Sequence, residues 1–159
     1  LHDRGHPIIG VELSELACKD FFEEAGEKAK VHPGEPFITF KHDNLQLWCG
    51  DFFQLVPDDL KHVRLVYDRA ALIALPPHMR KDYVNHLTAI IPDGTKILLI
   101  TLDYDTEIKG PPFNVSDEEV RELYQDDYKI EHILTKDHPF TKRKGLENAS
   151  ESVFRLTKI

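Results

Sequence analysis

The chain has 159 residues, a length that fits one domain, and 41% of them are hydrophobic, which is enough for a buried core. Lys and Arg number 20 against 28 Asp and Glu, so the formal net charge is −8. Nucleic acids and anionic membrane surfaces attract basic proteins, so this acidic balance argues against both. We therefore expect a small-molecule or protein partner, with no nucleic acid and no membrane.

Cysteine content and hydrophobic patterning indicate the compartment. Only two cysteines are present, Cys18 and Cys49, whereas a disulfide scaffold needs many more in a short chain. No apolar run approaches the length of a transmembrane helix, and no signal peptide is visible. We expect two reduced thiols and a cytoplasmic protein.

The first third of the chain predicts a strand, a helix and two further strands. Ile8–Glu12 is a short apolar run that ends in an acid, and Ser14 can cap the helix that follows. Gly26 favours a helix end, and 27–36 is polar and predicts a loop. The apolar residues at helical spacing are Leu16, Ala17, Phe21 and Ala25. Two strands joined by a turn follow: Phe37–Phe40 and Leu45–Cys49.

The rest of the chain continues the alternation of strands and helices. Val63–Tyr67 predicts a strand, and Pro76-Pro77 opens a helix. The stripe of that helix is Met79, Tyr83, Leu87 and Ile90. Ile97–Leu102 is almost wholly apolar, which is typical of a strand buried on both faces. Ser116 and Glu119 fit a capping box that opens a third helix. The closing strands are Lys129–Thr135 and Val153–Lys158.

This order of elements predicts the fold class. Strands alternating with helices indicate an α/β domain with a mostly parallel sheet. Two closing strands with no helix between them indicate an antiparallel edge. We expect one domain, 1–159, although periodicity alone does not separate one doubly wound fold from another.

An acid ends the first predicted strand, where doubly wound sheets bind ligands. A carboxylate at Glu12 can accept both hydroxyl hydrogens of a ribose. The alternative is an ordinary acid at a helix start beside Ser14, favoured by the helix dipole. The local pattern suits both interpretations equally.

Polar residues also follow the third and fourth predicted strands. Asp51 can accept an adenine amino hydrogen while Phe52 lies against the purine face, but a turn aspartate and a core phenylalanine fit the spacing better. Asp68 precedes Arg69, and an arginine there can hold a carboxylate or orient a substrate. On the local pattern, a surface ion pair of little energetic value is the commoner case.

Other kinds of site lack their motifs. The nine histidines show no metal-ligand spacing, since His78 and His86 lie eight apart, and we predict no metal. No Cys-x-x-Cys, Gly-x-Ser-x-Gly, P-loop or Gly-x-Gly-x-x-Gly occurs.

Five segments together resemble the thiopurine S-methyltransferase family, in its bacterial form. They are Gly-Val-Glu-Leu-Ser-Glu (10–15), Leu-Trp-Cys-Gly-Asp-Phe-Phe-Gln-Leu (47–55), Tyr-Asp-Arg-Ala-Ala-Leu-Ile-Ala-Leu-Pro (67–76), Leu-Ile-Thr-Leu-Asp-Tyr-Asp (99–105) and Gly-Pro-Pro-Phe-Asn-Val (110–115). They occur in the family's order across nearly the whole chain, and the third and fifth in combination are specific. The resemblance implies a class I S-adenosylmethionine-dependent methyltransferase sheet of Rossmann-like type.

The resemblance also implies roles for individual residues. Glu12 would bind the cofactor ribose, and Asp51 with Phe52 would frame the adenine. Arg69 would lie near the methionine end and the substrate, and we expect it to be the catalytic residue because it can stabilise an anionic acceptor. The acceptor-site residues implied are Pro111, Pro112 and Phe113, as a lid, and Arg143.

The chain departs from the family pattern at its start. The family's first strand and its Pro-Leu-Cys-Gly-Lys-Ser turn, which hold the methionine part of the cofactor, are expected upstream of Leu1. A βα unit of roughly 30 residues is therefore expected to be missing. We expect a monomer from the complete chain and self-association from a truncated one.

These expectations combine into one function and two rivals. The function is transfer of a methyl group from S-adenosylmethionine to the thiol of a small acceptor, thiopurine-like or another sulfur or selenium compound, leaving S-adenosylhomocysteine. One rival is a non-catalytic binding or dimerisation module that lacks the donor-binding turn. The other is a nicotinamide oxidoreductase, which Glu12 would also suit, but the Asp51-Phe52 and Gly-Pro-Pro-Phe segments argue against it.

Overall fold

A computed structural model describes residues 4–104, 110–137 and 149–159. They fall into two compact units, Leu1–Leu55 and Val56–Ile159, and each is described by itself. The expectation of one domain stays a prediction. Within its described residues, the first unit has four strands and one helix: β1 (Ile8–Glu12), α1 (Glu15–Glu24), β2 (Lys30–His32), β3 (Ile38–His42) and β4 (Leu45–Cys49).

The sheet of the first unit has the strand order β1-β4-β3-β2. β1 and β4 run parallel, with Ile8 opposite Leu45 and Glu12 opposite Cys49. β3 and β4 form a hairpin, and its turn uses Asp43 at a φ of 49°, which aspartate tolerates better than most residues. The predicted bounds of β1 and β4 are confirmed, whereas β2 lies inside the predicted loop.

The helix α1 begins and ends where the sequence indicates. The Ser14 side chain accepts a hydrogen bond from the Ala17 backbone, and Gly26 adopts a φ of 70° just after the helix. The predicted apolar stripe is wrong, however. Cys18 and Phe22 are buried against the sheet, while Leu16 and Phe21 are 67% and 47% exposed.

The second unit alternates strands and helices and then closes with two strands. Its described elements are α2 (Pro57–Leu60), β5 (Leu65–Asp68), α3 (Ala71–Ala74), α4 (Pro77–Ile90), β6 (Lys96–Asp103), α5 (Asp117–Tyr124), β7 (Tyr128–Asp137) and β8 (Ser150–Lys158). The short helices α2 and α3 were not predicted, since one turn leaves no periodicity to detect.

The sheet of the second unit has the order β5-β6-β8-β7. β5 and β6 are parallel, while β8 is antiparallel to both β6 and β7. The predicted antiparallel C-terminal edge is therefore confirmed, as is the α/β class. The expectation of a mostly parallel sheet is wrong, because among the described strands β1–β4 and β5–β6 are parallel pairs and the other four pairs are antiparallel. Burial alternates along β6: Ile97 and Leu99 are fully buried, whereas Leu98 is 40% exposed. The expected burial of β6 on both faces is wrong.

No helix within the described ranges is long and apolar enough to cross a membrane.

Candidate functional site

The first unit brings two predicted site segments to one edge of its sheet. Because β1 and β4 are parallel, their carboxyl ends lie together, with Glu12 opposite Cys49. The Gly50 backbone donates a hydrogen bond to the Glu12 carbonyl oxygen at 3.0 Å. Glu12 and the Asp51-Phe52 pair therefore follow neighbouring strand ends, which is where doubly wound sheets bind ligands.

Glu12 is exposed and partly engaged. Its Oε1 atom accepts a hydrogen bond from the Ser14 backbone N–H at 2.8 Å, two residues away. An ionised carboxylate has about four acceptor positions, so this bond leaves capacity for two ribose hydroxyls. Glu12 supports the start of α1, and its carboxylate is exposed at the sheet edge; its binding of a ribose stays a prediction.

Asp51 is held by a tight turn of backbone. Its Oδ1 atom accepts a hydrogen bond from the Phe53 N–H at 2.9 Å, which opens the 3₁₀ turn Phe52–Gln54. Gly50, the residue before Asp51, allows its backbone to pass close to Pro36. A Cβ atom at Gly50 would lie 2.8 Å from the Pro36 carbonyl oxygen. Asp51 is exposed and Phe52 is half-buried.

Asp68 at the end of β5 is not part of a surface ion pair. It is 3% exposed, and its carboxylate accepts bonds from the Ala71 and Leu72 backbones at 3.0 and 3.3 Å and from the Tyr83 hydroxyl at 2.8 Å. Burial raises the pKa of the Asp68 carboxyl, opposed by these three bonds. Asp68 therefore fixes the turn that carries Arg69.

Arg69 is exposed at the mouth of an open cleft of about 350 Å³. No described residue accepts a hydrogen bond from the guanidinium of Arg69. The cleft is lined by Arg69, Ala70, Ile73, Ile100, Leu102 and Glu151. It is therefore an apolar cleft that contains one cationic and one anionic side chain.

The segment 110–115 is attached to the elements that line this cleft. The Phe113 N–H donates to the Ile73 carbonyl oxygen at 2.6 Å, and the Val115 N–H donates to that of Leu102 at 2.8 Å. The Tyr104 hydroxyl donates to the Pro112 carbonyl oxygen at 2.6 Å. Pro111, Pro112 and Phe113 are not themselves lining residues in this conformation. Arg143 lies outside the described residues.

A buried arginine joins α4 to α5, and the sequence did not predict it. Arg80 is 1% exposed and donates to both carboxylate oxygens of Glu119, at 2.6 and 2.7 Å, and to the Leu75 carbonyl oxygen. Ser116 caps α5 by accepting from the Glu119 N–H, as predicted. The other half of the predicted capping box is wrong, because the Glu119 side chain bonds Arg80.

The thiols and histidines of the described part form no metal site. No group of three His, Cys, Asp or Glu side chains there is arranged to hold a metal ion. Cys18 and Cys49 are free and buried, and burial first, then the neighbouring Cys49, raises the pKa of the Cys18 thiol to about 11. These thiols belong to the core of the first unit.

Solved structures show the fold of the protein. A SAM-dependent methyltransferase from Methanosarcina mazei matches with a TM-score of 0.65 at 10% identity, covering 95% of this chain and 81% of that one. A 1,6-didemethyltoxoflavin-N1-methyltransferase from Burkholderia thailandensis, solved with S-adenosylhomocysteine, matches at 0.63 and 14% identity, covering 98% and 63%. The fold is thus that of the class I S-adenosylmethionine-dependent methyltransferases.

Sequence relatives then give the family. The family model "Thiopurine S-methyltransferase (TPMT)" matches residues 1–159. The thiopurine S-methyltransferase of Marinobacter nauticus is 75% identical over 164 residues, covering 99% of this chain and 75% of that protein. One from Pseudomonas fluorescens is 45% identical, covering 98% and 74%. The chain belongs to the thiopurine S-methyltransferase family, and is an enzyme of that type that uses S-adenosylmethionine.

Proposed function

We propose that this protein transfers a methyl group to the sulfur of a small acceptor, a thiopurine-like thiol or a related sulfur or selenium compound. The observation that carries the proposal is the apolar cleft with the Arg69 guanidinium at its mouth. Such a cleft suits a flat, apolar acceptor whose sulfur becomes anionic. The family to which the chain belongs supports the same acceptor class.

The residues at the edge of the first unit fit the donor. We assign the two ribose hydroxyls to Glu12, whose carboxylate is exposed and keeps free acceptor positions. We assign the adenine amino group to Asp51 and the purine face to Phe52. When bound, S-adenosylmethionine supplies a methyl group that its sulfonium makes electrophilic.

Arg69 acts on the acceptor side. A thiolate is a far better nucleophile than a thiol, and a nearby cation lowers the pKa of a thiol. The exposed guanidinium of Arg69 therefore favours the anionic acceptor, and the buried carboxylate of Asp68 holds the turn that presents it. We assign the segment Pro111, Pro112 and Phe113 to closure over the acceptor as a lid, and Arg143 to binding of the acceptor. The monomeric state stays a prediction.

The test compares turnover with donor affinity in variants of Arg69. With a heteroaromatic thiol as acceptor, Arg69→Ala is expected to lower kcat at least tenfold while the affinity for S-adenosylhomocysteine falls less than threefold. Arg69→Lys keeps the charge and should recover part of kcat. Equal kcat in the wild type and Arg69→Ala would overturn the role of Arg69, and no methyl transfer by the wild type to any thiol would overturn the proposed function.

A further inference from the structure

The cleft of the second unit contains a buried acid that the sequence did not single out. Glu151 is 6% exposed and lies on β8, directly opposite Leu102 of β6. Paired residues on antiparallel strands project to the same face of a sheet, so Glu151 shares its face with Leu102. Both residues line the cleft, and the register explains why.

A lysine on the next strand forms an ion pair with this acid. Lys136 lies opposite Glu151 in the β7–β8 ladder, and its Nζ atom is 2.8 Å from Glu151 Oε1. The Lys136 side chain is mostly exposed, so its ammonium group stays hydrated. A buried carboxylate beside an ammonium group remains charged at lower cost than an isolated one.

An ionised carboxylate in such a cleft selects among ligands. It has only acceptor positions, so it attracts an N–H or S–H hydrogen and repels another anion. The other lining residues, Arg69 apart, are apolar: Ala70, Ile73, Ile100 and Leu102. A polar hydrogen on an otherwise flat, apolar acceptor would thus form a hydrogen bond to Glu151, and the sulfur of the acceptor would interact with Arg69.

We propose that Glu151 determines acceptor specificity by accepting a hydrogen bond from a ring N–H of the acceptor. This inference rests on the proposed function and deepens it. Glu151 selects heteroaromatic thiols whose ring carries an N–H beside the sulfur-bearing carbon, and it disfavours acceptors that carry a carboxylate. A site with a buried polar group discriminates strongly against an analogue that lacks the matching group.

The test uses two acceptors: benzimidazole-2-thiol, whose thiolate keeps a ring N–H beside the sulfur-bearing carbon, and benzothiazole-2-thiol, whose thiolate has no ring N–H. The measured quantity is the ratio of their kcat/KM values in the wild type and in Glu151→Leu, with Lys136→Met as a matched control that removes the ion pair and keeps the carboxylate. The ratio should fall at least tenfold in Glu151→Leu, the size of a hydrogen bond to a charged group, and stay within twofold in Lys136→Met. Glu151→Gln, which keeps the shape, should lie between.

A binding measurement separates this inference from the proposed function. Titration of benzimidazole-2-thiol into the complex with S-adenosylhomocysteine should show at least tenfold weaker binding in Glu151→Leu than in the wild type. Unchanged ratios and affinities in both Glu151 variants would overturn the inference, as would an equal loss in Lys136→Met. If the wild type methylates no thiol, the proposed function fails, and the binding comparison still decides the role of Glu151.

Discussion

Two acids of the first unit and two of the second differ in burial and in the range of their hydrogen bonds. In the first unit, the exposed Glu12 and Asp51 each bond a backbone N–H only two residues away. In the second unit, Asp68 and Glu119 bond side chains 15 and 39 residues away. A local bond leaves a carboxylate available to a ligand, whereas a long-range bond to a buried side chain holds elements together.

Because of this difference, substitutions of the two kinds of acid should affect different quantities, ligand affinity in one case and the free energy of unfolding in the other. Substitution of an exposed acid with a local partner removes little free energy of unfolding, because water replaces the lost bond. Substitution of an acid bonded to a buried group leaves that group without a partner, which is costly. The acids of the first unit should therefore affect donor affinity, and those of the second unit should affect the free energy of unfolding.

The largest expected effect is at Glu119. Glu119→Ala should lower the free energy of unfolding by about 4 kcal/mol, because it leaves the buried guanidinium of Arg80 without its counter-ion. Urea unfolding measures the change. Glu118→Ala, on the exposed face of the same helix turn, is the matched control and should change it by less than about 0.5 kcal/mol. Similar losses of the free energy of unfolding in both variants would contradict the distinction between exposed acids and acids bonded to a buried group.

Asp68→Ala comes next, with an expected loss of about 3 kcal/mol, because the buried Tyr83 hydroxyl and two backbone N–H groups lose their acceptor. The effect should depend on pH. Burial raises the folded-state pKa of Asp68 above its ordinary value of 3.8, so its stabilising contribution is complete below that value and declines as pH rises through the folded pKa. Urea unfolding of both proteins from pH 4 to pH 7 should show a shrinking difference; a difference that grows with pH would contradict the assignment.

Asp51→Asn tests the acids of the first unit. The variant keeps an oxygen for the Phe53 N–H, so the melting temperature should stay within about 1 °C. It removes the charged acceptor assigned to the adenine amino group, so the affinity for S-adenosylhomocysteine should fall about fivefold to tenfold. Calorimetric titration measures this loss. An unchanged affinity would remove Asp51 from the donor site.

The smallest effect is expected at Asp58, an exposed acid of the second unit. Its carboxylate bonds Lys61 at 2.9 Å, and this contact lowers the pKa of the Asp58 carboxyl. Asp58→Asn should change neither the midpoint of urea unfolding nor the donor affinity measurably, because exposed ion pairs contribute little. Together with Asp68→Ala, this variant shows whether burial, rather than the unit in which an acid lies, decides the outcome.

Local signals predicted the strands and caps well. β1 and β4 have the predicted bounds because both are short apolar runs closed by polar residues or glycine. Ser14 and Ser116 cap the helices that they were expected to cap. β2 escaped detection because its three residues are all exposed and include Lys30 and His32, so no apolar alternation marks it.

Features that depend on distant parts of the chain were not predictable. Leu16 and Phe21 have the helical spacing of a buried face, yet the sheet packs against Cys18 and Phe22. Arg80 looks like a surface residue in the pattern of α4, and only the placement of Glu119 makes it a buried one. Likewise, the register of β8 decides that Glu151 faces the cleft, and register is a property of strand pairing.

The central claim is that Glu12 binds the donor and contributes little to the fold. The most direct measurement is calorimetric titration of S-adenosylhomocysteine into the wild type and Glu12→Gln, with thermal melting of both proteins and Glu15→Gln as the exposed control. Gln keeps the acceptor for the Ser14 N–H, so the melting temperatures should agree within about 1 °C. The account predicts saturable wild-type binding that Glu12→Gln weakens at least tenfold and Glu15→Gln leaves within twofold. Equal affinity in the wild type and Glu12→Gln, or no binding by either, would contradict it.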